Sequence, residues 1–224
     1  MKRVQNQLCG TLTVMAIAAF PACGGGSAAP APLPAPAPAA QQDTAGLIPA
    51  GLGSLHQEDI SVNVSANGLN VEAIPLAEDF IRTLSPDSYA GLLRIRESKR
   101  AQLDTIARRT GLARLSVWRF TFRNVQQGEA PFNARDVIIT NQNRDYKPVD
   151  VIGITPGFGD QRVPQREVRV GLIVFDGELN PNQPPLTLTI GTQTGGGNWQ
   201  TIVQRVEAER GRIRSRASAR GGVR

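Results

Sequence analysis

This 224-residue chain has a single histidine, which restricts the catalytic mechanisms that need an imidazole base. A serine nucleophile with a histidine base would have to use His56, which lies close to a flexible linker. The order of Gly51-Leu52-Gly53-Ser54 is not that of a G-x-S-x-G nucleophile elbow. An imidazole metal site would need partners that the chain lacks. The sequence therefore indicates that His56 is an exposed loop residue.

Oxygen ligands for a hard cation occur at Asn141, Asn143 and Asp145, with the 1-3-5 spacing of a calcium loop. Tyr146 stands where that loop needs glycine, and Ile152 stands where it needs glutamate. The calcium-loop interpretation therefore fails.

Two other chemistries stay open as alternatives. A looser calcium site between loops would use Asp136, Asp145 or Asp160, because calcium accepts irregular oxygen cages. A pair of carboxylates could act as in a glycosidase, although no pair is marked by the sequence. The glycine runs at 157–159 and 195–197 lack the helix-opening pattern that cradles phosphate, so they are predicted to be turns. No catalytic residue, cofactor or metal ligand is assigned.

Cys23 has the clearest chemistry, in the run Phe20-Pro21-Ala22-Cys23-Gly24. This run resembles a lipobox, in which signal peptidase II cuts before a cysteine that carries diacylglycerol. Lys2 and Arg3 form a positive start, and 8–20 is an apolar stretch too short to span a bilayer. The prediction is an exported chain with a lipid anchor at Cys23. The alternative is ordinary signal cleavage nearby, with Cys23 incidental.

The cysteine count agrees with an anchor. Cys9 lies in the leader and would be removed, which leaves Cys23 without a disulfide partner. Gly24 follows the cysteine, where lipoproteins that stay in the inner membrane have aspartate. In this respect the chain resembles outer-membrane lipoproteins, so we expect it in the outer membrane, facing the periplasm.

Positive charge is concentrated at the C-terminal end, where seven arginines from Arg205 onward accompany two glutamates. Apolar residues with helical spacing predict a helix over about 199–210. Gly211 is expected to weaken it, so that the remainder frays into solvent. The predicted contact with an anionic envelope surface comprises five residues: Arg205, Arg210, Arg212, Arg214 and Arg216. A solvated tail without a partner is the alternative, and an exported chain is not expected to bind nucleic acid.

Composition divides the chain into four parts. We predict a signal peptide at 1–22, a lipidated cysteine with a Pro/Ala-rich linker at 23–46, a β-sandwich domain at 47–203 and an Arg-rich tail at 204–224. The linker favours extended polyproline II and would act as a tether.

Local patterns predict the elements of the domain. Asn67-Gly68 between two alternating runs predicts a hairpin of strands at about 59–65 and 69–75. Ser85 as N-cap with Pro86 behind it, and Gly111 as the stop, predict an inserted helix over about 86–110. Its polar middle predicts a bend or packing at the ends only.

The run at 115–124 has three aromatic residues on one face, Trp118, Phe120 and Phe122, and predicts the strand around which the core forms. Four further apolar runs and the hairpin bring the number of expected strands to seven. The predicted runs lie at 137–140, 149–154, 168–175 and 186–190. The fold class is therefore mainly β, an antiparallel immunoglobulin-like sandwich with an inserted helix and a C-terminal helix. An open barrel is the alternative.

Several turn and core positions between 115 and 191 form a recognisable pattern. They are WRFTFRN at 118–124, Phe132 with Asp136, Tyr146-Lys147-Pro148, Gln165, Gly171 with Phe175-Asp176, and Leu186-Thr187-Leu188. This pattern resembles the immunoglobulin-like modules of exported bacterial proteins of unknown function. The resemblance implies the fold and an envelope setting, and it contains no catalytic residue.

The expected function is that of a membrane-anchored envelope lipoprotein acting as a non-catalytic interaction or structural module. Its partners would be the membrane through the lipid, and another envelope protein or an anionic envelope polymer. The alternatives are an envelope enzyme acting on glycan or peptide, and a module that binds calcium or a small ligand.

Overall fold

A computed structural model describes residues 47–159 and 161–221. Its strands are β1 (Val62–Ala66), β2 (Leu69–Pro75), β3 (Leu115–Asn124), β4 (Ala130–Pro131), β5 (Val137–Asn141), β6 (Arg144–Tyr146), β7 (Asp150–Gly153), β8 (Arg162–Val163), β9 (Val168–Asp176), β10 (Leu186–Ile190) and β11 (Gln193–Gly195). Its helices are α1 (Glu78–Ile81), α2 (Pro86–Ser98), α3 (Arg100–Thr110) and α4 (Trp199–Gly221), with single 3₁₀ turns at Gln57–Ile60 and Ala134–Asp136.

The strands form open antiparallel sheets. A five-stranded sheet has the order β1-β2-β3-β9-β7, a four-stranded sheet the order β11-β10-β5-β6, and β4 pairs with β8. The mainly β, antiparallel prediction is therefore confirmed, whereas these strand orders do not by themselves establish an immunoglobulin-like sandwich. Four strands, β4, β6, β8 and β11, were not predicted, because two or three residues are too few to display an alternating pattern.

The predicted hairpin is confirmed as β1 and β2, with Ala66 opposite Leu69. Asn67 and Gly68 both have positive φ, at 51° and 75°, as a type I′ turn requires. The first strand begins at Val62 instead of 59, because residues 57–60 form a 3₁₀ turn.

The aromatic strand β3 lies inside the large sheet, between β2 and β9. Trp118, Phe120 and Phe122 are all buried, in one cluster that extends across both larger sheets. Strand β9 is buried on both faces from Gly171 to Phe175, which explains its nearly continuous apolar sequence. Burial of these aromatic rings removes a large apolar area from water and so stabilises the sheet.

The inserted helix is two helices, α2 and α3, separated at Lys99. This agrees with the polar middle that predicted a bend. Gly111 ends α3 with a left-handed φ of 69°, as predicted. Ser85 occupies the N-cap position of α2, but its side chain makes no capping hydrogen bond. Its backbone instead joins Leu55, which accepts from the Ser85 N–H at 2.8 Å.

The C-terminal helix differs from the prediction, because α4 continues through Gly211 to Gly221. Ile213, two residues beyond that glycine, is fully buried. Interior glycine costs a helix only about 1 kcal/mol, and burying an isoleucine side chain offsets that by about 2 kcal/mol. The expected frayed tail is therefore wrong up to residue 221.

Candidate functional site

The predicted lipid anchor, Cys23, lies outside the described residues, as do Cys9, the leader and the linker. Asp160, one of the three candidate calcium ligands, lies outside them as well. These assignments therefore stay predictions.

The arginines of α4 occupy two networks, and the first is built around Arg210. Its side chain is 10% exposed and donates to Asp79 Oδ2 at 3.1 Å and to Asn182 Oδ1 at 2.8 Å. It also pairs with Glu207 and lies over the ring of Phe80, 5.6 Å from the centroid. Arg210 thus connects α4 with α1 and with the loop before β10.

The second network surrounds Glu209, whose side chain has 0% exposure. One of its oxygens accepts from Ser54 Oγ at 2.9 Å and from Arg216 Nη1 at 2.9 Å, and the other accepts from Arg212 Nη1 at 3.2 Å. Arg216 also donates to the carbonyl of Leu52 at 2.6 Å. This carboxylate therefore holds the first described segment of the chain against α4.

Burial by itself raises the pKa of Glu209, but the hydrogen bonds from Ser54, Arg216 and Arg212 outweigh it and hold the pKa below its ordinary value. The carboxylate stays ionised at neutral pH with both oxygens occupied. It is therefore poorly suited to exchange protons with a substrate, and its role is structural.

The two remaining predicted arginines differ in their surroundings. Arg205 donates to Asp59 Oδ1 at 3.1 Å, so it also joins α4 to the start of the domain. Arg214 is exposed on the helix. Four of the five residues predicted to meet an anionic surface therefore make ion pairs within the protein, and their contact with such a surface stays a prediction.

A second paired carboxylate, the half-buried Glu78 of α1, was not singled out from the sequence. It accepts from Arg82 Nε at 2.8 Å and from the Tyr89 hydroxyl at 2.9 Å, and it pairs with Arg96 Nη2 at 2.9 Å. Burial alone raises its pKa, but these hydrogen bonds and the charges of Arg96 and Arg82 lower it below its ordinary value. The pKa of Tyr89 is raised by burial and by its bond to Glu78. The carboxylate stays ionised and the phenol protonated, so the group anchors α2 on α1.

The calcium-spaced residues also have structural roles. Asn141 is buried and its side chain binds the backbone of the loop before β10, accepting from Asn180 N at 3.3 Å and donating to Pro185 O at 3.1 Å. Asp145 accepts from Thr140 Oγ1 at 2.6 Å across the β5–β6 hairpin. Within residues 47–159 and 161–221, no group of three or more His, Cys, Asp or Glu side chains is arranged to hold a metal ion.

The open edge of the large sheet is the feature that the sequence did not reveal. Among the described strands, β7 ends the five-stranded sheet and pairs only with β9. On one side of β7 a groove of about 550 Å³ separates it from α3, and Ala101, Thr105 and Ile106 form the helical wall.

A smaller pocket of about 220 Å³ borders the same strand at Gly153, which lies opposite Gly171 on β9. Because residues alternate between the faces of a strand, this pocket lies on the other face from Ile152, which lines the groove. Its wall includes the rings of Phe132 and Phe158, whose centroids are 5.7 Å apart. The ring of Phe158 occupies the space above Gly171, where an added Cβ would come within 2.3 Å of its Cζ. Because Gly171 has no side chain, the Phe158 ring can pack against its backbone and form this wall.

One end of the edge carries a shared charge. Asp150 pairs with Arg109 of α3, and Arg135 Nη2 lies 3.8 Å from its other oxygen. The two arginine side chains are 63% and 66% exposed, whereas the aspartate side chain is 17% exposed. Two cations thus share one anion, and both keep N–H donors directed to solvent.

The signal for this site in the sequence is weak. Val149, Val151 and Ile154 predicted the strand, but nothing in four residues indicates whether a strand lies at an edge. Arg109 and Asp150 are 41 residues apart, and pairing over that separation depends on the fold.

No helix within the described residues is long and apolar enough to cross a membrane. Comparisons of the chain with protein-family models, with curated proteins and with solved structures found no match.

Proposed function

We propose that this chain is a membrane-anchored envelope lipoprotein that acts as a non-catalytic interaction or structural module. The anchor is Cys23, and the Pro/Ala-rich linker carries the domain away from the bilayer at about 3 Å per residue. Gly24 after the cysteine favours the outer membrane, facing the periplasm.

The observation that carries the non-catalytic part is the lining of the two concavities beside β7. Among the described residues that line them, Asp150 is the only acid, and it is already paired with Arg109. A glycosidase needs two carboxyl groups about 5–10 Å apart across a cleft. The half-buried Glu78 and the buried Glu209 line neither concavity and have structural partners.

We also propose that the domain has the fold of an immunoglobulin-like module. This proposal is supported by two open antiparallel sheets whose buried residues belong to one cluster, and by the resemblance over 115–191. Modules of this kind commonly expose strand edges and loops on a rigid body, which suits a binding role.

The anchor is tested by metabolic labelling with palmitate in cells that produce the full chain. Cys23→Ala should abolish labelling and shift the protein from the membrane fraction to the soluble fraction. Cys9→Ala, in the leader, is the matched control and should leave labelling unchanged. Equal labelling of wild type and Cys23→Ala would refute the lipid anchor.

The module function is tested separately, by capturing the tagged full chain from detergent-solubilised membranes and identifying bound proteins by mass spectrometry. We expect one or a few proteins in amounts comparable to the bait. Hydrolysis of envelope glycan or peptide by the purified chain, with no such partner, would favour the enzyme hypothesis instead.

A further inference from the structure

We infer that the open edge of β7 binds an extended peptide as an additional strand, and that this peptide carries apolar side chains at alternate positions and an acidic residue near Asp150. The inference rests on the proposed function as an interaction module, for which it names the binding surface and the class of partner.

The edge has free backbone groups, as the pairing with β9 indicates. Ile154 donates its N–H to Val170 O at 3.0 Å, towards β9. Because successive residues of a strand alternate in direction, Gly153 and Val151 direct their backbone groups away from β9. The Val151 N–H is bound by Asp150 Oδ1 at 2.8 Å. Within residues 47–159 and 161–221, the N–H and C=O of Gly153 and the C=O of Val151 therefore remain for an incoming strand.

The two concavities are placed as an added strand requires. Successive side chains of a strand point to opposite faces of its sheet. A peptide paired with β7 would direct one set towards α3, where Ile106 and Ala101 form an apolar wall. The alternate set would point towards Phe132 and Phe158. Backbone pairing with pockets for alternate side chains is the recognition mode called strand addition.

The charge of the lining favours an acidic peptide. Arg109 and Arg135 share the single carboxylate of Asp150 and are each about two-thirds exposed, at 63% and 66%. A carboxylate on the peptide would supply the missing anion and accept hydrogen bonds from both guanidinium groups. A basic residue at the same position would be repelled by two cations.

The opposite edge of the same sheet is covered. Strand β1 lies against β11, where an added Cβ at Gly195 would come within 2.6 Å of Asn63 O. The β7 edge itself is better suited to a peptide than to a second copy of this chain.

A second copy that paired through its own β7 would bring its own α3 and its own Phe158 turn into the same space. A single extended segment has no such bulky neighbours, so a peptide is the favoured occupant.

The first step of the test is selection from a phage-displayed random dodecapeptide library on the purified full chain. The enriched peptide is then synthesised with a fluorophore, and its binding is measured by anisotropy. We expect apolar residues at alternate positions and an acid at one end. A scan that N-methylates each backbone nitrogen in turn should weaken binding about tenfold or more at every second residue only, because those N–H groups face β7.

Matched protein variants locate the site. Ala101→Phe, which fills the groove, should weaken binding at least about tenfold, whereas Ala90→Phe on the exposed surface of α2 should not change it. Arg109→Ala should weaken binding of the acidic peptide about tenfold, and the neighbouring Arg108→Ala should have little effect. On peptide binding, the Gly153 amide should become protected from hydrogen exchange.

Enrichment of no alternating peptide, an N-methyl scan without period two, or binding that resists Ala101→Phe would each overturn the inference. Concentration-dependent dimers that disappear in Ala101→Phe, without peptide binding, would overturn it in favour of a second copy at the edge. A wild-type chain that captures a membrane partner but binds no alternating peptide would refute this inference and leave the proposed module function standing. Palmitate labelling tests the anchor independently of β7.

Discussion

Two arginine-bearing helices of this protein use their charges in opposite ways. On α4, Arg210 pairs with Asp79 and Arg216 pairs with Glu209, so the N–H groups of these arginines stabilise the fold. On α3, Arg109 shares its carboxylate with Arg135 and extends into solvent beside an open strand. A count of arginines therefore indicates neither which helix is available to a partner nor which one stabilises the domain.

The difference arises from what lies beneath each helix. Helix α4 covers a loop, α1 and the start of the domain, and these contribute the acids and carbonyls that its arginines bind. Helix α3 borders a strand whose outer edge has no neighbour among the described strands.

The strongest test of α4 as a structural element is Trp199→Ala. Trp199 is buried, stacks on Phe80 with ring centroids 5.8 Å apart, and donates to Pro181 O at 2.8 Å. Its removal should lower the free energy of unfolding by about 3–5 kcal/mol, the usual range for a buried aromatic. Gln204→Ala, exposed on the same helix, should change it by less than about 0.5 kcal/mol. Similar urea midpoints for the two variants would contradict a docked helix.

Arginines of the two helices should differ in stability. Arg210→Ala removes the guanidinium that donates to both Asp79 and Asn182 and should cost about 2–3 kcal/mol, as expected for hydrogen bonds to a buried charge. Arg109→Ala removes an exposed pair and should cost less than about 0.5 kcal/mol. Equal losses in urea denaturation would remove the distinction between the helices.

Acid should weaken the α4 network through Glu209. Its pKa is lowered in the folded state, so its stabilising contribution is present above about pH 4.5 and is lost as the pH falls below that value. Glu209→Gln should be less stable than wild type by about 1–2 kcal/mol at pH 7. The gap should narrow as the pH falls below about 4.5, measured by urea denaturation at each pH. Glu78 has a lowered pKa as well, so the variant will still lose part of its stability in acid. A gap that widens in acid would reverse the assigned sign.

The smallest effect is expected for contact with an anionic surface. Arg205, Arg212 and Arg216 fall on one face of α4 by helical spacing, but Asp59 and Glu209 neutralise much of their charge. In a Cys23→Ala background, the chain should co-sediment weakly with anionic vesicles at low salt and be released by about 0.3 M salt.

The double substitution Arg205→Ala/Arg212→Ala should reduce that weak binding, and Arg108→Ala/Arg109→Ala on α3 serves as its control. If only the α3 double variant lost binding, the vesicle contact would belong to the other helix.

Elements with local signals could be predicted from the amino-acid sequence alone. Alternating residues located β1, β2, β3, β9 and β10 within a few residues, Asn67-Gly68 determined the first turn, and Gly111 determined the end of α3. These features depend on neighbours within a few positions, where side-chain periodicity and backbone φ act directly.

Which charged side chains form ion pairs, and which strand lies at an open edge, depends on contacts between distant segments of the chain. Ser54 and Glu209 are 155 residues apart, and Arg210 and Asp79 are 131 apart, so no local pattern could pair them. The same distant contacts continue α4 past Gly211, against its local helix propensity. An edge strand likewise differs from a central strand only in lacking a second neighbour. Strand β7 is an edge strand because it lies beside β9 at the end of the sheet order.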